Sequence, residues 1–182
     1  MDRRQRKSRD AIFKAFTDLL ANQNIQHITV GQIIERADVG RATFYAHFET
    51  KEYLLKELSE ELFCHLFDAM AGEQEHHHIF DCDAAGSPFE HLFRHLQSND
   101  NQLLRLLSGE NRELFLPYFS DDLKSLVRAN MDQFPKADAL PADYWEDFIV
   151  SAFVQTMRWW AEHGKEQSPE EITAYFMRAV TK

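Results

Sequence analysis

Residues 29–48 read TVGQIIERADVGRATFYAHF and contain the most specific pattern in this 182-residue chain. A helix is predicted over residues 29–37, with Thr29 as its cap and apolar side chains at positions 30, 33, 34 and 37. A short break at residues 38–40 separates it from a compact helix that begins at Arg41 and ends at Phe48. Two short helices joined by a tight turn form the helix-turn-helix unit.

The second of these helices has one apolar and one polar side. Phe44 and Phe48, four residues apart, are expected to anchor it in the core. The side chains then left to face outward are Arg41, Ala42, Thr43, Tyr45 and His47. A short helix that exposes these polar groups is more typical of one that binds in a DNA major groove than of one that is merely exposed to solvent. A generic αα-hairpin gives a similar pattern, so periodicity alone leaves a DNA-binding and a purely structural interpretation open.

The rest of the chain continues in helical periods on both sides of this unit. Six Gly and five Pro are too few for a β-sandwich, and no β-type alternation appears. The pattern predicts an all-α fold of about nine helices, with a helix-turn-helix domain at 1–50 and a helical domain at 51–182. Further helices are predicted over 4–22, 50–72, 88–96, 100–107, 112–134, 142–163 and 168–181. A polar loop is expected at 73–86, and a linker between Pro135 and Pro141.

The charge is divided unevenly along the chain. The net charge of -10 argues against nucleic acid as a binding partner, but residues 1–56 hold ten Lys and Arg against seven Asp and Glu. The asymmetry suggests a nucleic-acid-facing end on an acidic body, although a bias this small also arises by chance. Two cysteines cannot form a disulfide scaffold, and no apolar run approaches the roughly 20 residues of a membrane span. We therefore expect a cytoplasmic protein that does not enter a membrane.

Residues 29–55 resemble the DNA-binding signature of the TetR family of bacterial transcription regulators. The resemblance rests on the run Thr-Phe-Tyr-x-His-Phe-x-x-Lys-x-x-Leu from Thr43 to Leu54, which is far more specific than a bare helix-turn-helix. The chain departs from the family at Asp38, where Gly is usual, and at Gly40, where Ser or Thr usually caps the recognition helix. Asp tolerates a left-handed backbone and Gly is an acceptable cap, so the turn should survive.

The resemblance and side-chain chemistry together imply roles on DNA. Tyr45, His47 and Lys51 are expected to bind phosphates, helped by the amide end of the fourth helix and by Thr29. Arg41 is expected to read a guanine, and Ala42 and Thr43 to touch a thymine methyl. The basic side chains at positions 3, 4, 6 and 7 either track phosphates or form a solvated tail.

The resemblance also implies a homodimer on a palindromic operator, because one module reads too few base pairs. The family dimerises through its last two helices as a four-helix bundle, which makes the aromatic excess there a candidate interface. Packing within the chain's own core is the alternative for the same residues. The candidates are Trp145, Phe148, Phe153, Trp159, Trp160, Tyr175, Phe176 and Val180.

A ligand pocket among the middle helices is a further implication of the family. A small apolar or aromatic inducer would release a repressor from its operator, although a regulator without an inducer remains an alternative. Ordinary core packing is the competing explanation for each lining residue. The candidate lining consists of Phe63, Phe67, Phe93, Leu96, Leu103, Leu107, Phe115, Phe119 and Met157.

Three other functions receive less support from the residues. His91 and His95 share a helix face, and Cys64, His65, His76, His77, His78 and Cys82 lie near in sequence, but no C-x-x-C or H-E-x-x-H spacing appears. A surface loop and two surface histidines explain them equally well, so no metal site is predicted. No phosphate-binding Gly loop or nucleophile motif points to an enzyme or a cofactor. A helical adaptor that binds only proteins is the remaining alternative.

Overall fold

The computed structural model describes residues 3–72, 80, 86–98, 102–135 and 140–181. Within these ranges the chain forms nine α-helices, two short 3₁₀ helices and no β-strand, which confirms the predicted all-α fold. Most of the predicted loop 73–86 and of the linker between Pro135 and Pro141 lies outside the described residues. No helix in the described ranges combines the length and apolarity that crossing a bilayer requires. The α-helices are α1 (Arg3–Leu20), α2 (Val30–Ala37), α3 (Arg41–His47), α4 (Lys51–Ala71), α5 (Pro88–Ser98), α6 (Gln102–Ser108), α7 (Arg112–Ala129), α8 (Ala142–Glu162) and α9 (Pro169–Thr181).

Side-chain caps set the start of several helices where the sequence predicts it. The Thr29 hydroxyl accepts a hydrogen bond from the Gln32 amide, and the Gln32 side chain accepts one from the Thr29 amide, which completes a capping box on α2. Ser168 and Glu171 make the same reciprocal pair at the start of α9. Thr50 caps α4 through the Tyr53 amide. Because these signals are local, they could be predicted from sequence.

Two helices, α1 and α7, end at least two residues earlier than predicted, and in both cases a polar side chain bonds to the last turn. Helix α1 ends at Leu20, and the Asn22 amide group donates to the Asp18 carbonyl just beyond the last turn. Helix α7 ends at Ala129 rather than continuing to 134, because the Asn130 side chain donates to the Leu126 carbonyl and a 3₁₀ turn follows at Met131–Gln133. Asn competes with the helical backbone for hydrogen bonds, so it favours such ends.

Helices α1, α2 and α3 pack together as a small N-terminal unit, and α4–α9 form the body. In the body, α4 packs on α7, α5 on α9, and α8 on both α7 and α9. The centre of the body is a continuous aromatic cluster, in which the Phe93 and Phe153 ring centroids lie 4.6 Å apart and those of Phe153 and Phe176 5.2 Å apart. Aromatic rings bury large apolar areas, so this cluster dominates the stability of the body.

The contacts that join the N-terminal unit to the body include an ion-pair cluster and a buried asparagine. Arg9 of α1 reaches Glu57 and Glu61 of α4 at 2.9 and 2.6 Å. Asn111, which is 5% exposed just before α7, accepts a hydrogen bond from the Ile25 amide at 2.8 Å and donates to the Gln23 carbonyl at 3.2 Å. The orientation of the helix-turn-helix is therefore tied to both α4 and α7.

Candidate nucleic-acid interface

The turn between α2 and α3 adopts the geometry of a helix-turn-helix without the usual glycine. Asp38 takes the left-handed conformation, with φ 52° and ψ 46°, and its amide donates back to the end of α2. The Val39 amide donates to the Ile34 carbonyl at 3.0 Å, which closes the turn. Asp is one of the few residues that tolerate this region of backbone space, which confirms the expectation that the turn survives.

Gly40 is the N-cap of α3, with φ -75° and ψ 155°, a conformation open to any residue. No side chain caps α3, because glycine offers no acceptor. A Cβ atom built at this position would have the Thr43 hydroxyl, 3.8 Å away, as its nearest neighbour. A capping side chain therefore fits at this position without displacing its surroundings.

Two phenylalanines hold α3 on the rest of the unit. Phe44 is fully buried and Phe48 is 1% exposed. The Phe48 ring meets Phe13 of α1 edge-on at 5.1 Å and lies 5.9 Å from the Phe44 ring. This arrangement confirms that the apolar side of the helix faces inward, so the opposite side must face solvent.

The outward face of α3 carries the residues predicted to contact DNA. Arg41 and Ala42 are exposed, Tyr45 is 50% exposed, and Thr43 and His47 are half-buried. The exposed phenol and guanidinium are therefore available to a partner. Together with the first turns of α1, this face borders an open cleft of about 690 Å³. The cleft is lined by Arg4, Gln5, Ser8, Asp38, Val39, Gly40, Ala42, Thr43, Ala46 and His47.

His47 is held by a side chain that the sequence did not single out. The Ser8 hydroxyl lies 2.8 Å from Nε2 of His47, which ties the end of α3 to α1. Partial burial, and secondarily the positive charge of Arg9, lower the pKa of His47 below its usual value. The neutral imidazole is therefore favoured in the free protein. It offers Nδ1–H to a phosphate in the tautomer whose Nε2 accepts from the Ser8 hydroxyl, a proton for which the Gln5 carbonyl at 3.0 Å competes.

Lys51 is placed differently from the prediction that its side chain grips a phosphate. Its ammonium donates to the Ile25 carbonyl at 2.6 Å and to the Ile28 carbonyl at 2.7 Å, inside the N-terminal unit. Both isoleucines are almost fully buried. The ammonium therefore holds two carbonyls at the 3₁₀ turn Ile25–His27, of which the Ile25 carbonyl also accepts from the Ile28 amide at 3.1 Å. The sequence shows a lysine at the start of α4 but not which way it points.

Thr29 lies exposed at the N-terminus of α2, where its hydroxyl already serves the capping box with Gln32. The hydroxyl accepts from the Gln32 amide and also donates to the Gln32 side chain at 3.1 Å. The predicted capping role is confirmed. A contact with the sugar–phosphate backbone remains a prediction, and it would have to share this hydroxyl.

The predicted dimer residues divide into two groups. Trp145, Phe153, Trp160, Phe176 and Val180 are at most 8% exposed within the single chain. The expectation that these five contribute to an interface is wrong, because their side chains already fill the chain's own core and have no area left for a partner.

The other three predicted dimer residues remain exposed. Phe148, Trp159 and Tyr175 are 44%, 36% and 47% exposed, and they lie on α8 and α9. Periodicity detects an apolar excess but not which side of the helix meets the chain's own core, so the sequence could not separate the two groups.

The predicted ligand-pocket residues are almost all core residues. Phe67 is half-buried, and the other eight are at most 2% exposed. Phe63 and Phe119 meet edge-on at 5.3 Å, and Phe115 lies 6.2 Å from Phe119. The rings of Phe63, Phe115 and Phe119 fill the space between α4 and α7, so a ligand in that space would have to displace them.

The two histidines interpreted as surface residues are buried. His91 is 4% and His95 3% exposed, and His65 of α4 lies against both. Their surface interpretation is wrong, because the i, i+4 face that they share points at α4 rather than at solvent. The predicted neighbours His76, His77, His78 and Cys82 lie outside the described residues. Cys64 is described, exposed and not in a disulfide.

Comparison with known proteins agrees with this architecture over nearly the whole chain. A family described as "Bacterial regulatory proteins, tetR family" matches residues 8–58. One described as "Transcriptional regulator C-terminal region" matches residues 85–182. The uncharacterized HTH-type transcriptional regulator YxbF of Bacillus subtilis (strain 168) is 28% identical over 189 residues, covering 98% of this chain. The chain spans only 46% of the length of that relative.

Solved structures have the same fold. A TetR transcriptional regulator from Streptococcus agalactiae 2603V is 30% identical, with a TM-score of 0.75 over 100% of this chain and 97% of that one. NalD, the secondary repressor of the MexAB-OprM multidrug efflux pump in Pseudomonas aeruginosa, is 18% identical, with a TM-score of 0.60 over 96% of each chain. The second likeness concerns the fold alone.

Proposed function

The chain belongs to the TetR family of bacterial transcriptional regulators, and from that premise we propose that it is a repressor that binds a palindromic operator as a homodimer. Family membership makes it a DNA-binding regulator. The observation that supports the proposed contacts is the face of α3, where Arg41 and Tyr45 project from a helix locked in place by Phe44 and Phe48. Such a helix enters a major groove with its side chains already oriented.

The roles on DNA divide by chemistry. Arg41 lies in the first turn of α3, the part of a recognition helix that reaches base edges, and its guanidinium suits the two acceptors of guanine. Ala42 and Thr43 are small enough to approach a thymine methyl. Tyr45 and His47 lie further along the helix and donate to phosphates. The first-turn amides of α4 supply a further positive pole, whereas the Lys51 side chain acts within the protein.

An exposed aromatic patch supports the proposed dimer. Phe148 stacks on Trp145 at 5.3 Å with an interplanar angle of 9°, and Trp159 lies 6.2 Å from Tyr175 across the α8–α9 pair. Apolar rings exposed on two adjacent antiparallel helices bury favourably against a symmetry-related copy of the same pair. The resulting four-helix bundle would place two α3 helices on one side of the dimer.

We propose that a small apolar or aromatic ligand releases the repressor by opening the packed region between α4 and α7. A ligand shifts the equilibrium only if it prefers the conformation that does not bind DNA. A panel of such compounds should lower operator affinity in proportion to their binding. If compounds bind tightly and leave operator affinity unchanged, the ligand proposal is contradicted and a regulator without an inducer is favoured.

Selection of bound duplexes from a random pool tests the DNA-binding proposal. We expect a palindromic consensus with half-sites about 34–36 Å apart or at a multiple of a helical turn. The selected duplex should bind more tightly than a scrambled one across a salt titration. Equal and weak affinity for both, lost as salt rises, would instead favour an adaptor that binds only proteins.

Sedimentation equilibrium tests the dimer separately. The double variant Phe148→Glu with Trp159→Glu places two charges in the aromatic patch, and we expect it to be monomeric while retaining its helical content. Leu114→Glu on α7 is the matched control, because Leu114 is also 44% exposed but lies outside the patch. If the double variant remains a dimer of unchanged affinity, the interface lies elsewhere.

A further inference from the structure

Three imidazoles from two helices converge beneath the surface of the body. His91 and His95 lie one turn apart on α5, and His65 reaches them from α4. The His65 ring centroid is 5.1 Å from that of His91 and 4.8 Å from that of His95, and the His91 and His95 rings are also 4.8 Å apart. One ring nitrogen from each residue lies within 4.8 Å of the other two.

The pocket around these imidazoles is partly closed. His91 and His95 are almost fully buried and His65 is half-buried, while Phe80 packs edge-on against His95 at 5.6 Å. The burial that closes the pocket is also the largest cause that lowers the pKa of His91 to about 4 and that of His95 to about 3. An ion held there would be shielded from bulk water on the side of His91 and His95.

The nitrogen positions are close to those of a tetrahedral site. Zinc–nitrogen bonds of about 2.0–2.1 Å place two ligating nitrogens roughly 3.3–3.4 Å apart. The Nε2 atoms of His91 and His95 are 3.1 Å apart, already near that spacing. In this contact one imidazole donates Nε2–H to the other. Shifting that proton to Nδ1 leaves both Nε2 lone pairs for an ion, without a change in net charge.

Helical spacing explains why the side chains of His91 and His95 already lie close together. Residues at i and i+4 stand one above the other on a helix, as in the His pair of H-E-x-x-H zinc sites. To reach bonding geometry, the half-buried His65 side chain must move inward until its N···N distances, now at most 4.8 Å, are roughly 3.4 Å. Shortening these distances by at most about 1.4 Å is within the reach of side-chain rotation.

We propose that His65, His91 and His95 form a transition-metal site that takes zinc or a similar divalent ion between α4 and α5. Three neutral imidazoles suit zinc, cobalt, nickel and copper, whereas magnesium and calcium require oxygen ligands. Water completes the tetrahedron at the side of the site where His65 is half-buried. The site is separate from the DNA-contacting face, and it does not depend on which DNA sequence the protein binds.

Metal binding would add a link between α4 and α5, which already pack against each other. Helix α4 begins at Lys51, shortly after the recognition helix α3 in the chain. An ion bound to α4 would therefore also hold the helix that follows the helix-turn-helix. Metal binding could change operator affinity through this helix, but the proposed metal site does not require such a change.

The decisive experiment is a Zn²⁺ titration of full-length protein whose purification tag has been removed and which has been treated with a chelator. We expect one Zn²⁺ per chain by calorimetry and elemental analysis. In the His65→Gln variant the dissociation constant should rise more than about 100-fold, because even outer-shell changes cost about 10–100-fold. The control His27→Gln makes the same substitution at an exposed histidine and should bind as the wild type does.

A second readout uses the wild type alone, so it does not depend on whether a variant folds. The chain has nine histidines, and nitrogen NMR should show three imidazoles shifting in a 1:1 ratio with added Zn²⁺. The proposal is overturned if the wild type takes up no Zn²⁺, if His65→Gln binds as tightly as His27→Gln, or if the shifted imidazoles are not these three.

Discussion

Removal of the Lys51 ammonium should destabilise the protein rather than weaken only its grip on DNA. Lys51→Met keeps most of the apolar stem and deletes the charge that donates at 2.6 Å to Ile25 and at 2.7 Å to Ile28. Both acceptor residues are at most 2% exposed, so their carbonyls lose a partner where water has little access. The 3₁₀ turn between α1 and α2 would keep its own backbone hydrogen bonds and the one from the Ile25 amide to Asn111.

The size of this loss follows from the two hydrogen bonds. A hydrogen bond to a charged group contributes about 1.5–3 kcal/mol, and leaving a buried acceptor unsatisfied adds to its loss. The two bonds share one half-exposed ammonium, so we expect the free energy of unfolding to fall by about 2–4 kcal/mol in total. With a urea m-value of about 2 kcal/mol/M, the unfolding midpoint should fall by roughly 1–2 M.

Urea unfolding followed by circular dichroism measures this shift, and operator affinity at several salt concentrations measures the DNA contribution. Lys56→Met is the control, because Lys56 lies on the same helix and pairs at the surface with Glu60, and exposed i,i+4 pairs contribute little to stability. If Lys51 instead neutralises a phosphate, Lys51→Met would leave the midpoint unchanged and lower the salt slope by about 1. That result would refute the structural role.

Four further outcomes are expected. Arg41→Ala should lose about 1–3 kcal/mol on the selected duplex and relax preference at one base pair; an equal loss on a scrambled duplex would contradict base reading. Gly40→Ser should raise the free energy of unfolding by roughly a few tenths of a kcal/mol in urea, because it caps α3, whereas Gly40→Ala adds no acceptor and should not. Operator affinity should rise as pH falls from 8 to 6, by at most about tenfold per pH unit for each of the two His47 side chains of the dimer, because a phosphate raises the lowered pKa of His47 and binding takes up a proton. A His47→Gln variant with the same pH dependence would exclude His47 as the source. Asn111→Leu should cost about 1–3 kcal/mol in urea unfolding by stranding the Ile25 amide, and an unchanged midpoint would mean that this hydrogen bond contributes nothing.

Features that depend on residues close in the chain could be predicted from the sequence. The caps at Thr29, Thr50 and Ser168 and the left-handed Asp38 each involve side chains and amides within a few positions. Their energetics do not depend on the tertiary fold, so the pattern alone identifies them. The same holds for the anchored side of α3, because the i, i+4 spacing of two phenylalanines fixes which face is buried.

Features that depend on distant contacts could not be predicted in this way. The direction of Lys51 depends on two carbonyls more than 20 positions earlier, and the burial of His95 depends on α4 lying across α5. The aromatic residues of α8 show the same limit, because Phe148 and Phe153 have equal hydrophobicity but opposite environments. Periodicity in the sequence identifies a helix with two apolar sides. It does not show which side packs into the chain's own core and which stays exposed.

The hydrogen bonds around Ile25 suggest how a change in the body reaches the recognition helix. The Ile25 amide donates to Asn111 beside α7, and its carbonyl accepts from Lys51 at the start of α4. One peptide segment is thus held by both helices that pack most closely in the body. If α4 moves relative to α7, at least one of these buried bonds must break or the 3₁₀ turn must move with it. Because α2 follows this turn directly, the helix-turn-helix must then change its orientation toward DNA.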